Sequence, residues 1–198
     1  MTGVQRREQL IAVGRKSFAE KGFEGSSVEE IASRAKVSKP VVYEHFGGKE
    51  GLYAVVVDRE IADLTARVTD ALSSEGSART LIERAALALI GYVEEETDGF
   101  RILVRDSPPG QQTGSLASLM SDVATQVEHL LAAQFKARGL EAKTAPMYAQ
   151  MLVGMVALTG GWWMDSNRKF SREDVAAHVV NLAWNGLTGL EKNPTLHA

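Results

Sequence analysis

Between Ser26 and Lys49 the sequence reads SSVEEIASRAKVSKPVVYEHFGGK, which leaves room for two short helices, a tight turn and little else. Ser27 stands before an apolar run and Glu30 follows three residues later, the pattern of a capping box. Val28, Ile31, Ala32 and Ala35 fall on one helical face. Val37 is an apolar anchor in the turn. Ser38 can cap a second helix whose first turn accepts Pro40, because proline's missing N–H would have no partner there in any case. That second helix, Lys39 to His45, is too poor in apolar residues to be a core helix. Val42 and Phe46, four apart, can face inward, which leaves Lys39, Val41, Tyr43, Glu44 and His45 facing out.

Two short helices joined by a tight turn, the second showing polar, cationic and aromatic side chains, describe a helix-turn-helix that reads DNA. A small helical hairpin with a solvated face is the plain alternative. The residue order separates the two. Gly22-Phe23, Ser27-Val28-Glu29-Glu30-Ile31-Ala32, Val37-Ser38, Tyr43-Glu44-His45-Phe46 and Lys49-Glu50-Gly51-Leu52, at these spacings, closely resemble the DNA-binding segment of the TetR family of bacterial transcriptional regulators. The resemblance implies an N-terminal three-helix DNA-binding domain over residues 4–64, with the helix-turn-helix at 27–46. It implies a helical effector-binding and dimerisation domain over residues 65–198. At the turn the chain departs from the pattern: many members carry glycine where Lys36 stands, and Gly47-Gly48 is looser than the polar residues common there.

By position in that motif, Ser27, Tyr43 and Lys49 are expected to hold phosphates, as a hydroxyl at a helix N-terminus, a phenol and an ammonium can. Lys39, Pro40 and Val41 are expected to reach base edges, Lys39 donating to guanine O6/N7 and the other two touching a thymine methyl. Ser38 either caps its helix or touches DNA. His45 is expected on the DNA backbone, and Glu44 either accepts from cytosine or repels wrong sequences. The implied partners are a double-stranded DNA operator, a second copy of the chain as a homodimer, and a small-molecule effector. Repression is the usual behaviour in this family; the residues do not separate it from activation.

Charge supports that placement. The 198 residues carry a net −3, yet residues 1–50 hold nine Lys/Arg against seven acids, a balance of +2 that leaves −5 for the remainder. The sign is right for a head that must neutralise phosphates. With no cysteine, thiolate metal sites and cysteine nucleophiles are excluded, in keeping with a reducing cytoplasm. No apolar run is long enough for a membrane span, and no secretory pattern opens the chain.

No strand pattern is present, so the expected fold is all-α. Gln5 to Lys21 reads as a first helix ended by Gly22 in left-handed geometry. Helices follow over Lys49 to Ser74, Arg79 to Asp98, Arg101 to Asp106, Ser115 to Arg138, Thr144 to Asp165 and Arg172 to Leu190. Gln111 to Gly114 is the best loop candidate. The helix from Thr144 is apolar nearly all round, so it needs cover on every side.

The resemblance adds that the last two helices of such regulators pack against their mates; Trp163, Val175, Val179, Leu182, Trp184 and Leu187 are the interface candidates, with monomer core as the competing account. Met120, Met151 and Met155 are candidate pocket liners, with Tyr92, Arg101 and Arg105 as polar anchors, although plain core or surface roles fit each of them. An apolar pocket of that kind suits an apolar or amphipathic ligand. No cofactor is implied. Catalysis is disfavoured: the four histidines lack HExxH spacing and there is no Gly-rich phosphate loop. Glu94-Glu95-Glu96 with Asp98 reads as a solvated helix end before it reads as a cation site.

Overall fold

The computed structural model describes residues 1–104, 116–191 and 194. Among these residues it is all-α: α1 Gly3–Gly25, α2 Val28–Arg34, α3 Lys39–Phe46, α4 Lys49–Ser73, α5 Ala78–Glu95, α6 Thr97–Val104, α7 Leu116–Ala137, α8 Ala145–Asp165 and α9 Arg172–Thr188, with one 3-10 turn, Ala142–Thr144. The chain divides into two compact units, the first built from residues 1–63 and 96–104 and the second from 64–95 and 117–191. The expected loop Gln111–Gly114 and the residues Arg105 and Asp106 lie outside the described residues.

In the first unit, α1 opens with a capping box: Gln5 N donates to the Thr2 hydroxyl at 3.2 Å, and Thr2 N donates to the Gln5 amide oxygen at 2.8 Å. The helix does not stop at Lys21. Gly22 takes a positive φ of 75° as expected, but the chain kinks there and makes one more turn to Gly25. Leu10, Ile11 and Phe18 of α1, Val28 and Ile31 of α2, Val42 of α3, and Leu52, Tyr53 and Val56 of α4 are buried. Tyr53 sits edge-on to Phe18 and to Phe23, with ring centroids 5.0 Å away in both cases, the geometry aromatic quadrupoles favour.

α6 belongs to this unit and packs on α1. It begins at Thr97, earlier than the Arg101 start read from sequence, because Phe100, Ile102 and Leu103 are its buried anchors and need the preceding turn to be helical. Arg15 of α1 fastens it. Its guanidinium donates twice to the buried Glu60 of α4, at 2.6 and 3.2 Å, and once to Glu96 at 2.7 Å. A buried carboxylate requires such a partner, since desolvating an unpaired charge costs several kcal/mol (order of magnitude).

The second unit buries Leu64, Val68 and Leu72 of α4, Leu89 and Ile90 of α5, Val123 and Leu131 of α7, Leu152 and Trp163 of α8, and Val175 and Val180 of α9. α5 packs on both α8 and α9. A Cβ at Gly160 would meet Val93, Ile90 and Leu89 at 3.3 to 3.4 Å, so this glycine lets α8 and α5 approach. Arg168 donates to the Val93 and Glu94 carbonyls at 3.0 and 3.3 Å and so satisfies acceptors at the C-terminal end of α5. Ser171 and Asp174 form the capping box of α9.

The turn between α2 and α3 contains Lys36 at φ 56°, left-handed geometry in a side-chain-bearing residue. It is required because Val37 N closes back onto the Ala32 carbonyl at 2.9 Å. Left-handed geometry costs a non-glycine residue on the order of 1 kcal/mol. Lys36→Gly is therefore expected to raise the stability of this unit by about 1 kcal/mol or slightly less, read as a higher denaturation midpoint at unchanged m-value.

Candidate nucleic-acid interface

α3 is held by its ends and by one side chain. Val42 is 0% exposed. At the C-terminus, Gly47 supplies the left-handed cap at φ 74°, its N–H bonded to the Tyr43 carbonyl at 2.8 Å. Arg7 of α1 donates to the His45 carbonyl at 2.9 Å and lies 4.4 Å over the Phe46 ring. A Cβ at Gly51 would lie 1.9 Å from the Phe46 carbonyl oxygen, so only glycine lets the start of α4 pass this close to the end of α3. Through His45 and Phe46, Arg7 clamps the short helix.

The outward face of α3 is as the spacing predicts. Lys39, Pro40, Tyr43 and Glu44 are exposed, with Ser38 just before them, and Val41 and His45 are half-buried. Ser38 occupies the N-cap position without a side-chain cap bond, so its hydroxyl does not perform the capping expected of it. Ser27 does cap α2, accepting from Glu30 N at 3.2 Å, and its residue is exposed. Lys49 turns partly inward: its ammonium donates to the Phe23 carbonyl at 3.0 Å and lies 4.1 Å from the Phe23 ring.

Carboxylates of α2 pair with cations of α1, α2 and α3. Glu30 pairs with Lys21 and with Arg34, each at 2.7 Å, and Arg34 also reaches Glu20 at 2.8 Å. Glu29 pairs with Lys39, whose ammonium lies 5.9 Å from the Tyr43 ring. That hydrogen bond holds the Lys39 ammonium above its ordinary range and the Glu29 carboxylate below its own. Glu29 escapes a sequence reading because its partner is ten residues away on another helix, a spacing no single-helix rule picks out.

In the second unit, α4, α5, α7 and α8 line a partly open apolar cavity of about 50 Å³, whose walls include Val68, Leu72, Ile82, Leu89, Val127 and Leu152. None of the expected ligand contacts lines it. Tyr92 is fully buried with the Arg67 guanidinium 5.4 Å from its ring, Arg101 is exposed on α6, and Met120 and Met155 are half-buried. Met151 is exposed, and Arg105 lies outside the described residues. The cavity is instead walled by branched aliphatic residues, whose positions the sequence marks only as core.

The expected interface residues also separate. Trp163, Val175, Val179 and Leu187 are buried within the chain, Trp163 donating its indole N–H to the Phe170 carbonyl at 2.9 Å. Trp184 is half-buried, 5.9 Å from the Arg79 guanidinium, and Leu182 is 68% exposed. The uncovered apolar side chains of α8 are Met147, Met151, Leu158 and Trp162, with Leu158 at 78% exposure. Their steps of four, seven and four put them on one face. α8 is apolar nearly all round, yet the chain's own core covers only part of it.

Residues 10–56 match the family described as bacterial regulatory proteins of the tetR family, and residues 67–196 match the tetracyclin repressor-like C-terminal domain. The HTH-type transcriptional activator FasR of Mycolicibacterium smegmatis is 29% identical over 185 residues, 93% of this chain and 84% of that protein. The HTH-type transcriptional repressor Rv3405c of Mycobacterium tuberculosis is 35% identical over 107 residues, 54% of this chain and 49% of that one. A TetR-like transcriptional regulator from Rhodococcus sp. RHA1 superposes with a TM-score of 0.80 at 25% identity, covering 93% of this chain and 97% of that structure. With both halves matched, the chain belongs to the TetR family of bacterial transcriptional regulators.

Proposed function

We propose that this regulator is a cytoplasmic homodimeric repressor that leaves a palindromic operator when an apolar or amphipathic ligand enters the second unit. The observation that carries the DNA-reading part is the exposed face of α3, a cation, an aromatic ring and small apolar groups on a short helix that gives only Val42 to the core. In this reading residues 4–64 form the DNA-binding domain and residues 65–198 bind ligand and partner. Ser38, Lys39, Pro40 and Val41 meet base edges, while Ser27, Tyr43, His45 and Lys49 meet phosphates. Lys49 gives one of its three N–H groups to Phe23 and keeps others for DNA.

The dimer surface in this reading is the stripe Met147, Met151, Leu158 and Trp162 together with Leu182. Exposed apolar stripes of this kind mark protein contacts, and two recognition helices must span about 34 Å between half-sites. The ligand site is the cavity beneath Leu89 and Leu152. At about 50 Å³ it is far below the roughly 300 Å³ of a typical ligand pocket, so ligand entry has to push helices apart. One wall is α4, which begins at Lys49, directly after the recognition helix. That gives a ligand a route to DNA affinity.

Activation is the second reading, because the relative aligned over 93% of this chain is named an activator. Loss of the protein raises reporter transcription from its own promoter under the first reading and lowers it under the second. Neither reading assigns a catalytic residue.

Selection of bound fragments from sheared genomic DNA, then footprinting, is expected to give a protected near-palindrome that Tyr43→Ala abolishes; uniform protection indifferent to the substitution refutes operator reading. Leu158→Glu places a charge in the apolar stripe and is expected to yield monomers in sedimentation while leaving the α-helical circular dichroism intact. A dimer of unchanged affinity would put the interface elsewhere. Lipophilic carboxylic acids or their thioesters are expected to raise Tm, by about 2.7 kcal/mol of stabilisation at a hundredfold excess over Kd. Ala85→Phe, which fills the cavity, should remove that response. A shift with small polar metabolites alone would overturn the apolar-ligand assignment.

A further inference from the structure

Lys39 stands at the first position of α3, the most forward cation of the exposed face, and the structure does not leave it open to any anion that approaches. Its ammonium is paired with Glu29, in the first turn of α2, and lies 5.9 Å from the Tyr43 ring. Both members of the pair are substantially exposed, at 48% and 64% of their side chains, so the pair adds little to stability. What it changes is the kind of acceptor Lys39 can take. An ammonium has three N–H donors. With one on Glu29, the other two can still serve an uncharged acceptor such as guanine O6 or N7. A phosphate oxygen at the same place must approach the Glu29 carboxylate as well, and is repelled.

We infer that Glu29 is a specificity-determining residue: it keeps Lys39 available to base edges and denies it to the DNA backbone. This rests on the DNA-reading function proposed above. The surroundings support it. Glu29 and Glu30 occupy the N-terminal turn of α2, where the helix dipole favours carboxylates, and between them they hold Lys39, Lys21 and Arg34. Three cations of the head thus each have a carboxylate partner in place. Sequence-independent binding, which is dominated by phosphate neutralisation, is kept low. Lys39 is the expected base contact with which Glu29 pairs, so the effect of Glu29 passes through that side chain.

The test is equilibrium binding of the full-length protein to a random-sequence duplex and to the selected operator, by fluorescence anisotropy across a salt series. Glu29→Gln is close in shape and exposed, so the fold is kept. It is expected to tighten random-duplex binding about fivefold and to steepen the dependence of log K on log salt by about 0.9, the mark of one more phosphate engaged. Operator affinity should change by less, so the operator-to-random ratio falls. In a Lys39→Met background the same substitution should have no such effect. An unchanged ratio and salt slope, or an equal gain without Lys39, would overturn the role of Glu29 while leaving DNA reading intact. Wild-type protein that binds neither duplex would overturn both.

Discussion

The recognition helix cannot hold itself. α3 is eight residues long, and only Val42 among them is buried. Fixing a backbone costs about 1–2 kcal/mol per residue, whereas burying one valine returns about 1.5–3 kcal/mol. The helix exists because its neighbours bracket it. Arg7 of α1 covers its C-terminal end, Gly51 lets the start of α4 pass against the Phe46 carbonyl, and Gly47 closes the last turn. This arrangement frees the outer face from any packing duty. Lys39, Pro40, Tyr43 and Glu44 can then be chosen for what they meet outside the protein.

Charge is handled with similar economy. Among the described residues of the first unit the buried carboxylate is Glu60, and Arg15 binds it with two N–H groups while a third reaches Glu96 at the start of the α6 segment. Ion pairs on the surface do a different job. Glu29 and Glu30 are exposed or half-exposed and add little to stability, yet they set which cations of the head face solvent with a counterion at hand. In the second unit the apolar side chains divide between core and surface along single helices. α8 buries Leu152, Val153 and Trp163 and presents Met147, Met151, Leu158 and Trp162.

Sequence reading was strongest where a rule acts over three or four residues. Ser27 caps α2 as its spacing with Glu30 requires, Gly22 takes the positive φ expected of it, and the inward Val42 and outward Tyr43 follow from the helical period. It was weaker where two elements compete for one residue. Ser38 occupies a cap position but makes no cap bond. Trp163 and Trp162 are adjacent and chemically identical, and one is wholly buried while the other is 57% exposed. Hydropathy cannot tell such a pair apart; only the direction from which α5 and α9 approach α8 can.

The amino-acid order by itself determined the all-α class, the helix-turn-helix and its family, and which side of α3 faces out, because caps, glycines and a 3.6-residue period are local constraints. Tertiary structure alone decided which aliphatic residues wall the cavity, which apolar side chains of α8 are left uncovered, and that Glu29 answers Lys39 across two helices. Those outcomes depend on where separate helices meet. Residues ten to a hundred positions apart become neighbours only after the chain has packed, and no local rule carries that distance.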